Sequence, residues 1–295
     1  MANDGLAPKF EENRSRLRAV AYRMLGSMNE AEDAVQEAWL RLSRSDASSI
    51  ESIEAWLTTV VAHVCLDILR ARKSRREETI DDHDSKSENR PAASDPEREA
   101  LLADSVGLAL LVILDRLNPA ERLAFVLHDM FAVGFDEIAS IIGRSATAVR
   151  QLASRARRRV QGGTTFTSAN VHEQREIVDS FLSALRAGDV ERLMNVLDPD
   201  VLVHIDAASA RPGAPREIHG AGNWARAAIA FSRSAGPLQN IEPVLIDGRV
   251  GLMWAPAGRL SRALRFAFKR GKIIEVDFMA DPASLDALDL AVLPA

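Results

Sequence analysis

A helix-turn-helix pattern lies at residues 135–159, FDEIASIIGRSATAVRQLASRARRR. In both halves apolar residues recur at the spacing of an α-helix, which separates an apolar face from a polar one. Gly143 forms the turn between the two helices, and Ser145 is a typical N-cap for the second. Because the outward face of the second helix is polar and basic, the pattern predicts a helix that enters the major groove of DNA.

Basic side chains are concentrated in two segments of a chain whose formal net charge is −5. Residues 68–76 hold five basic residues and no acid, and residues 150–159 hold five more. Between them, residues 77–100 hold nine acids and three bases. Such patches suit phosphate binding whatever the overall charge. A basic helix end also complements the helix dipole, but that effect does not need five charges.

Three amphipathic helices are predicted before the acidic segment, at residues 10–25, 29–42 and 54–72. Asn29 is expected to cap the second helix, with Glu32 as its capping-box partner. The outward face of that helix is acidic, and Asp33 and Glu37 stand one turn apart on it. Together these helices predict a compact all-helical domain.

The acidic stretch at 77–100, broken by prolines, has the composition of a flexible linker. It can act as a plain tether. Alternatively, it can shield the basic patches in the free protein, since flexible acids compete with DNA for a basic groove. Further helices are predicted at 97–117 and 118–130, the latter capped by Asn118 with Pro119 at its first position.

The pattern changes after the stretch at 163–170, which we interpret as a second linker. Helices are predicted at 171–187 and from Asp189 to Asp198, followed by a strand at 201–206. Two later hairpins are expected to turn at Asp247-Gly248 and at Arg270-Gly271. Two helices followed by a curved antiparallel sheet predict a cone-shaped α+β domain.

The blocks AEDAVQEAWLRL, EAWLTTVVAHVCLDILRARKSRRE and LNPAERLAFVLHDMFAVGFDEIASIIGRSATAVRQLASRARRRV resemble a bacterial RNA polymerase sigma factor of the extracytoplasmic-function (ECF) group. The resemblance covers residues 10–161, with sigma regions 2 and 4 in the right order. The last part, with GDVERLMNVLDPDVLVHIDA and the hairpins, resembles a SnoaL-like (nuclear-transport-factor-like) domain. This implies a multidomain chain with two all-α sigma domains, a region 2 helical bundle and a region 4 helix-turn-helix, plus a C-terminal α+β cone-shaped SnoaL-like domain.

The expected domains are sigma region 2 at 1–76, the acidic flexible linker at 77–100, sigma region 4 at 101–162, a linker at 163–170 and the SnoaL-like domain at 171–295.

The resemblance also implies roles for individual residues. Docking on the β′ clamp helices of the polymerase is expected of Asp33, Gln36, Glu37 and Trp39. Melting and reading of the −10 element is expected of Trp56, His63, Arg70, Arg72, Lys73, Arg75 and Arg76. Reading of the −35 element is expected of Ser145, Thr147, Arg150, Gln151, Ser154, Arg155 and Arg158. Exposed acids suit a basic partner helix, and single-stranded DNA is captured by positive charge with stacking surfaces.

The implied partners are core RNA polymerase, through its β′ clamp helices and β subunit, and promoter DNA. Contacts between the tail and the sigma regions are expected within the chain. No catalytic residue, cofactor or metal is expected, because the polymerase does the chemistry. The single cysteine, Cys65, excludes an internal disulfide and a cysteine-rich zinc site, and is expected to be buried. Without an apolar signal or membrane-spanning run, the chain is expected to be cytoplasmic and not membrane-bound.

The tail leaves other functions open, although we expect a module that modulates the sigma regions in cis. Candidate acid–base groups are His204, Asp206, Asp247 and Asp277. Trp224 and Trp254 are expected to line either a pocket or a packing core. One alternative is a helix-turn-helix DNA-binding regulator with a small-molecule-binding tail. Another is a small-molecule enzyme with a DNA-binding domain attached.

Overall fold

The computed structural model describes residues 6–45, 50–80, 107–162, 168–208, 216–234 and 240–294. The chain divides into two compact units. The first unit comprises residues 1–106 and 114–157, and the second comprises residues 107–113 and 158–295. Buried apolar side chains form a core in each of them.

The first unit begins with three helices, α1 (Leu6–Leu25), α2 (Met28–Arg44) and α3 (Ile53–Ile80). Leu17, Leu42 and Leu57, one from each helix, are almost completely buried, and Cys65 is buried as the sequence predicts. Burial raises the pKa of the Cys65 thiol to about 12, which keeps it neutral and unreactive.

Two ends of these helices differ from the prediction. The chain is extended at Ser27, whose side chain accepts the N–H of Glu30 and caps α2. The prediction of Asn29 as the cap is therefore wrong, because Asn29 lies inside the first turn. Helix α3 continues to Ile80, past the point where the acidic linker was expected to begin. The rest of that linker, 81–100, lies outside the described residues.

The described stretch 107–162 contains four α-helices, α4 (Leu108–Asp115), α5 (Pro119–Phe125), α6 (Phe135–Ile142) and α7 (Ala146–Gln161). Asn118 accepts the N–H of Glu121 over 2.8 Å and Pro119 opens α5, so this cap prediction is confirmed. The helix also reaches Met130, as predicted, but its second half (Val126–Met130) is a π-helical turn rather than α-helix. Ala132, two residues later, is left-handed with φ 56°.

The second unit contains an α+β domain. Its helices are α8 (Ser168–Ala187), α9 (Val190–Val196), α10 (Ala221–Ser234) and α11 (Pro282–Ala287). Its strands are β1 (Leu197–Ile205), β2 (Glu217–His219), β3 (Ile241–Ile246), β4 (Arg249–Trp254), β5 (Arg262–Lys269), β6 (Lys272–Met279) and β7 (Leu290–Ala291). The described strands form one sheet in the order β2-β1-β6-β5-β4-β3-β7. Only the β1–β6 pair of this described sheet is parallel.

The core of this domain lies between one face of the sheet and helices α8, α9 and α10. Phe181 of α8 meets Phe266 of β5 edge to face, with ring centroids 5.5 Å apart. Val203 and Val276, paired across β1 and β6, are fully buried on the same side. The predicted α+β domain, with helices packed on a sheet, is therefore confirmed.

Both predicted hairpin turns are confirmed. Asp247 and Gly248 have φ values of 48° and 82°, and Arg270 and Gly271 have 51° and 73°. Two successive residues with positive φ form the tight turn that matches the twist of antiparallel strands. Strand β1 begins earlier than predicted, at Leu197, and its pairing with β6 is irregular where the chain passes the following Asp-Pro.

A glycine in β4 makes the packing of the sheet sensitive to a single methyl group. A Cβ added at Gly251 would lie 2.6 Å from both the carbonyl oxygen of Leu264 and Cδ1 of Ile246. We expect Gly251→Ala to lower the free energy of unfolding of the tail by about 2 kcal/mol, measured by urea denaturation. Gly222→Ala in α10 is the matched control, since its Cβ would meet only the end of the Arg226 side chain. Equal stability of both variants would contradict this packing argument.

Candidate nucleic-acid and protein-docking surfaces

The turn between α6 and α7 has the geometry that the sequence predicts. Gly143 is left-handed, with φ 71°, and its N–H donates to the carbonyl of Ala139 over 3.0 Å, which ends α6. The hydroxyl of Ser145 accepts the N–H of Ala148 over 3.2 Å and caps α7. A left-handed glycine and an N-cap separated by one residue fix the angle between the helices.

Helix α7 has one polar face and one buried face. The side chains expected to read the −35 element are all exposed: Ser145, Thr147, Arg150, Gln151, Ser154, Arg155 and Arg158. The apolar side chains of the opposite face are buried: Val149, Leu152, Ala153, Ala156 and Val160. The polar side chains are thus available to a ligand without disturbing the packing of the helix.

Two arginines of α7 have different environments. The guanidinium carbon of Arg150 lies 5.4 Å from the centre of the Phe135 ring, which in turn stacks on His128 at 3.8 Å. Arg157 instead donates to the carboxylate of Asp129, with Nε 2.9 Å from Oδ1. The charge of Arg157 is therefore balanced within the protein, whereas Arg150 is oriented by aromatic rings and remains exposed.

The basic end of α3 presents three of the predicted −10 residues to solvent. Arg70, Lys73 and Arg75 are exposed, and Arg70 forms a distant ion pair, 3.9 Å, with Asp67 one turn before it. Trp56 is half-buried near the start of the helix. Arg76 was also predicted to contact the −10 element, but its side chain lies outside the part of the chain that the structure describes.

Two other residues of the predicted −10 set are engaged inside the first unit. Arg72 forms an ion pair with Glu30 and donates to the carbonyl of Leu25 over 3.0 Å, so it ties α3 to the start of α2. His63 lies with Nε2 3.0 Å from the carbonyl oxygen of Ile141 in α6. In this arrangement neither side chain is fully available to DNA.

A buried arginine that the sequence did not single out joins α5 to α1. Arg122 is only 1 % exposed. Its Nε donates to the carbonyl of Arg23 over 3.1 Å, and its Nη1 donates to Asp115 over 3.2 Å. Burial lowers the pKa of Arg122 below its usual range, and Asp115 opposes that shift. In the sequence, Arg122 lies on an ordinary amphipathic helix, and its position in the apolar pattern does not distinguish it from an exposed arginine.

The predicted docking face on α2 combines exposed acids with an apolar edge. Asp33 and Gln36 are exposed, and Glu37 is half-exposed and pairs with Arg41 over 2.8 Å. The ring of Trp39 packs on Phe10 of α1, with centroids 5.0 Å apart. Gln36 and Trp39 also line a groove of 370 Å³ between α1 and α2.

The candidate acid–base groups of the tail are held by structural contacts. Asp206 accepts the N–H groups of Ala280 and Asp281 and connects the end of β1 to the start of α11. Arg265 donates to both Asp247 and Asp277, each over 2.9–3.0 Å, and these bonds raise the pKa of Arg265. Such carboxylates are already satisfied as acceptors, which fits a structural role better than proton transfer.

His204 belongs to a cluster that the sequence did not reveal. Its Nε2 lies 3.3 Å from Glu275, and His204, Glu275 and Asp277 have potential ligand atoms within 4.8 Å of one another. The guanidinium of Arg265 already forms an ion pair with Asp277, so a metal ion at this cluster would have to displace it.

Trp224 and Trp254, which the sequence places either in a pocket or in a packing core, both line one apolar cavity.

Two sequence families match the helical part of the chain. Residues 10–75 match sigma-70 region 2, and residues 107–160 match sigma-70 region 4. Over 289 residues the chain is 33 % identical to the probable ECF RNA polymerase sigma factor SigI of Mycobacterium tuberculosis, covering 97 % of each chain. It is 38 % identical over 251 residues to the ECF RNA polymerase sigma factor SigJ of the same species, covering 82 % of this chain and 79 % of that one. The crystal structure of that SigJ aligns with 31 % identity, 95 % and 98 % coverage and a TM-score of 0.46.

A helical bundle followed by a helix-turn-helix, with these family matches, defines a sigma-70-type promoter-recognition protein. The 33 % identity to SigI over 97 % of the chain is more specific, and it shows that the chain belongs to the ECF RNA polymerase sigma factors. It is a transcription initiation factor with an α+β C-terminal domain, which binds core RNA polymerase and directs initiation at specific promoters. Sigma factors are not enzymes, since the polymerase carries out the chemistry. No helix of the described residues is long and apolar enough to span a bilayer.

Proposed function

We propose that promoter recognition by this sigma factor is divided among three surfaces and takes place in the cytoplasm. The acidic face of α2 docks on the β′ clamp helices, the basic end of α3 holds the melted −10 strand, and α7 reads the −35 duplex. One observation carries the proposal. All the polar and basic side chains expected to meet the −35 element are exposed on α7, while its apolar residues are buried.

Arg150 is the side chain we propose as the main −35 contact. Its guanidinium is held over Phe135 and therefore loses less freedom on binding than an unrestrained arginine. A planar guanidinium matches the two acceptors on the major-groove edge of guanine, a contact worth ~1–3 kcal/mol. The exposed Arg155 and Arg158 further along the helix suit phosphate contacts.

We expect Arg150→Ala to weaken binding to a −35 duplex about tenfold and to leave the affinity for core polymerase unchanged. Fluorescence anisotropy with a labelled duplex measures the first, and a pull-down with core enzyme measures the second. Arg157→Ala is the matched control, because Arg157 lies on the same helix but is paired with Asp129. An equal loss for both variants, or a parallel loss of core affinity, would show that the reading face is assigned wrongly.

We also propose that the tail modulates the sigma regions in cis. Two hydrogen bonds within the second unit support this. The N–H of Ala109, in the first turn of α4, donates to the carboxylate of Glu242 in β3 over 3.1 Å. The N–H of Val292, after β7, donates to the carbonyl of Val160 in the last turn of α7 over 2.8 Å. A rearrangement of the tail sheet would therefore act on the first turn of α4 and on the last turn of α7.

Run-off transcription on a genomic promoter library tests this division of labour. Purified core polymerase is given the full-length protein, a truncation ending at Gly163, or the full-length variant Glu242→Ala. Promoter-specific transcripts from the full-length protein support the proposed surfaces. A changed transcript yield with the truncation and the variant gives the sign of tail control, and identical yields from all three forms would remove the cis-modulation proposal.

A further inference from the structure

The orientation of Arg150 depends on an aromatic side chain that the sequence does not single out. Phe135 begins α6, and the guanidinium carbon of Arg150 in α7 lies 5.4 Å from the centre of its ring. This distance is within the ~6 Å at which a cation is attracted to the face of an aromatic ring. Among the described residues, no acidic side chain forms an ion pair with Arg150. The ring of Phe135 is therefore the contact that restrains this guanidinium.

The Phe135 ring is itself fixed by the turn before α6. His128 stacks on it, with ring centroids 3.8 Å apart and 29° between the ring planes. The imidazole is held in turn by the carbonyl oxygen of Val133, which lies 3.0 Å from Nδ1 and accepts its proton. His128 lies in the π-helical turn, and such turns are frequent at functional sites. A chain of contacts thus runs from the backbone through two rings to the guanidinium.

A second aromatic side chain close to this turn holds an arginine that lies elsewhere. Phe131 directly follows the π-helical turn, and the guanidinium carbon of Arg23 lies 5.2 Å from the centre of its ring. Arg23 belongs to α1 and is not among the residues expected to contact DNA. Phe131 and Phe135 therefore make the same kind of contact, but only that of Phe135 is with an arginine of the proposed reading face.

We infer that Phe135 is a positioning residue for promoter recognition, a role that rests on the proposed reading of the −35 duplex by α7. Its ring holds the guanidinium of Arg150 in place before DNA binds, which reduces the rotamer freedom that the side chain loses on binding. A bidentate contact to guanine needs two N–H groups aligned with O6 and N7 at once, so it depends on the orientation of the guanidinium. Phe135 therefore sets how strongly the protein prefers guanine at one −35 position, without itself contacting the base.

The base preference of the holoenzyme tests this role. Core polymerase with the full-length protein is bound to a promoter identified by run-off transcription, with its −35 segment randomised, and the bound duplexes are sequenced. The natural chain is expected to prefer guanine at one position, and Arg150→Ala to lose that preference. Phe135→Leu stays apolar but has no ring, and should lower the preference about two- to fivefold, the range of a cation–π contact at an exposed site. Phe135→Tyr, which keeps the ring, should retain the preference of the natural chain.

The double variant Phe135→Leu/Arg150→Ala separates positioning from packing. If the ring acts through Arg150, the double variant has the same base preference and affinity as Arg150→Ala alone. A general loss of packing would instead weaken binding further. Phe131→Leu is the matched control, because it removes a similar ring contact from Arg23, and it is expected to leave the base preference unchanged.

The inference is overturned if Phe135→Leu keeps the natural base preference, or if it weakens binding equally with and without Arg150. It is also overturned if Phe135→Tyr loses as much preference as Phe135→Leu, or if Phe131→Leu has the same effect. A guanine preference retained by Arg150→Ala would instead refute the proposed −35 contact of Arg150, and the role of Phe135 with it.

Discussion

The double variant Asp33→Lys/Glu37→Lys is expected to lose at least ~100-fold in affinity for core RNA polymerase, because like charges placed across an interface cost several kcal/mol. The two acids lie one turn apart on α2 and face solvent together. Glu37 already pairs with Arg41, so its reversal also places a lysine next to Arg41 on the same face. The docking surface thus changes from acidic to strongly basic, whereas Phe10 and Trp39 keep their packing.

Binding is measured by titrating labelled core enzyme without DNA, which keeps promoter contacts out of the result. Asp67→Lys is the control, since Asp67 is an exposed acid on another helix of the same unit and lies outside the proposed docking face. Stability should change little, because substitutions at exposed positions usually shift unfolding by ~0.5 kcal/mol or less. Undiminished core affinity in the double variant would mean that the polymerase is held by another surface.

The elements that sequence alone predicted are those whose causes are local. Asn118 with the following proline, Gly143 with Ser145, and the two hairpin turns each specify their geometry within four residues. At the start of α2 the prediction failed: Ser27, not Asn29, caps the helix, because the chain is already extended one residue after the left-handed Gly26. Family resemblance supplied the order of the domains, which local patterns do not encode.

The surfaces were less predictable because they depend on partners far apart in the sequence. The basic run at 68–76 suggests uniform positive charge, yet Arg72 is paired with Glu30, 42 residues away. His63 is positioned by a carbonyl 78 residues away. The periodicity of apolar residues in the sequence does not indicate contacts between residues so far apart. The cavity of the tail is similar, since Arg262 and Trp254 meet only through the register of β4 and β5.

Replacing the buried arginine of α5 is expected to produce the largest loss of stability in the first unit. Arg122→Met should lower the free energy of unfolding by about 3 kcal/mol, the cost of breaking a buried charged contact. Methionine keeps most of the apolar stem but removes the hydrogen bonds from Arg122 to the carbonyl of Arg23 and to Asp115. Arg122→Lys should recover little, because a single ammonium lacks the fork that reaches both acceptors.

Urea denaturation followed by tryptophan fluorescence measures this loss, with Arg144→Met, an exposed arginine in the turn before α7, as the control. The size of the change in unfolding free energy for Arg122→Met decides between two physical explanations. Desolvating a guanidinium is costly, and one of its nitrogens, Nη2, has no hydrogen-bond partner within the described residues. If Arg122→Met is as stable as the natural chain, desolvation has cancelled the two hydrogen bonds, and apolar packing alone holds α5 against α1. If it unfolds at markedly lower urea, the bonds to Arg23 and Asp115 are what keep the sigma regions together in the first unit.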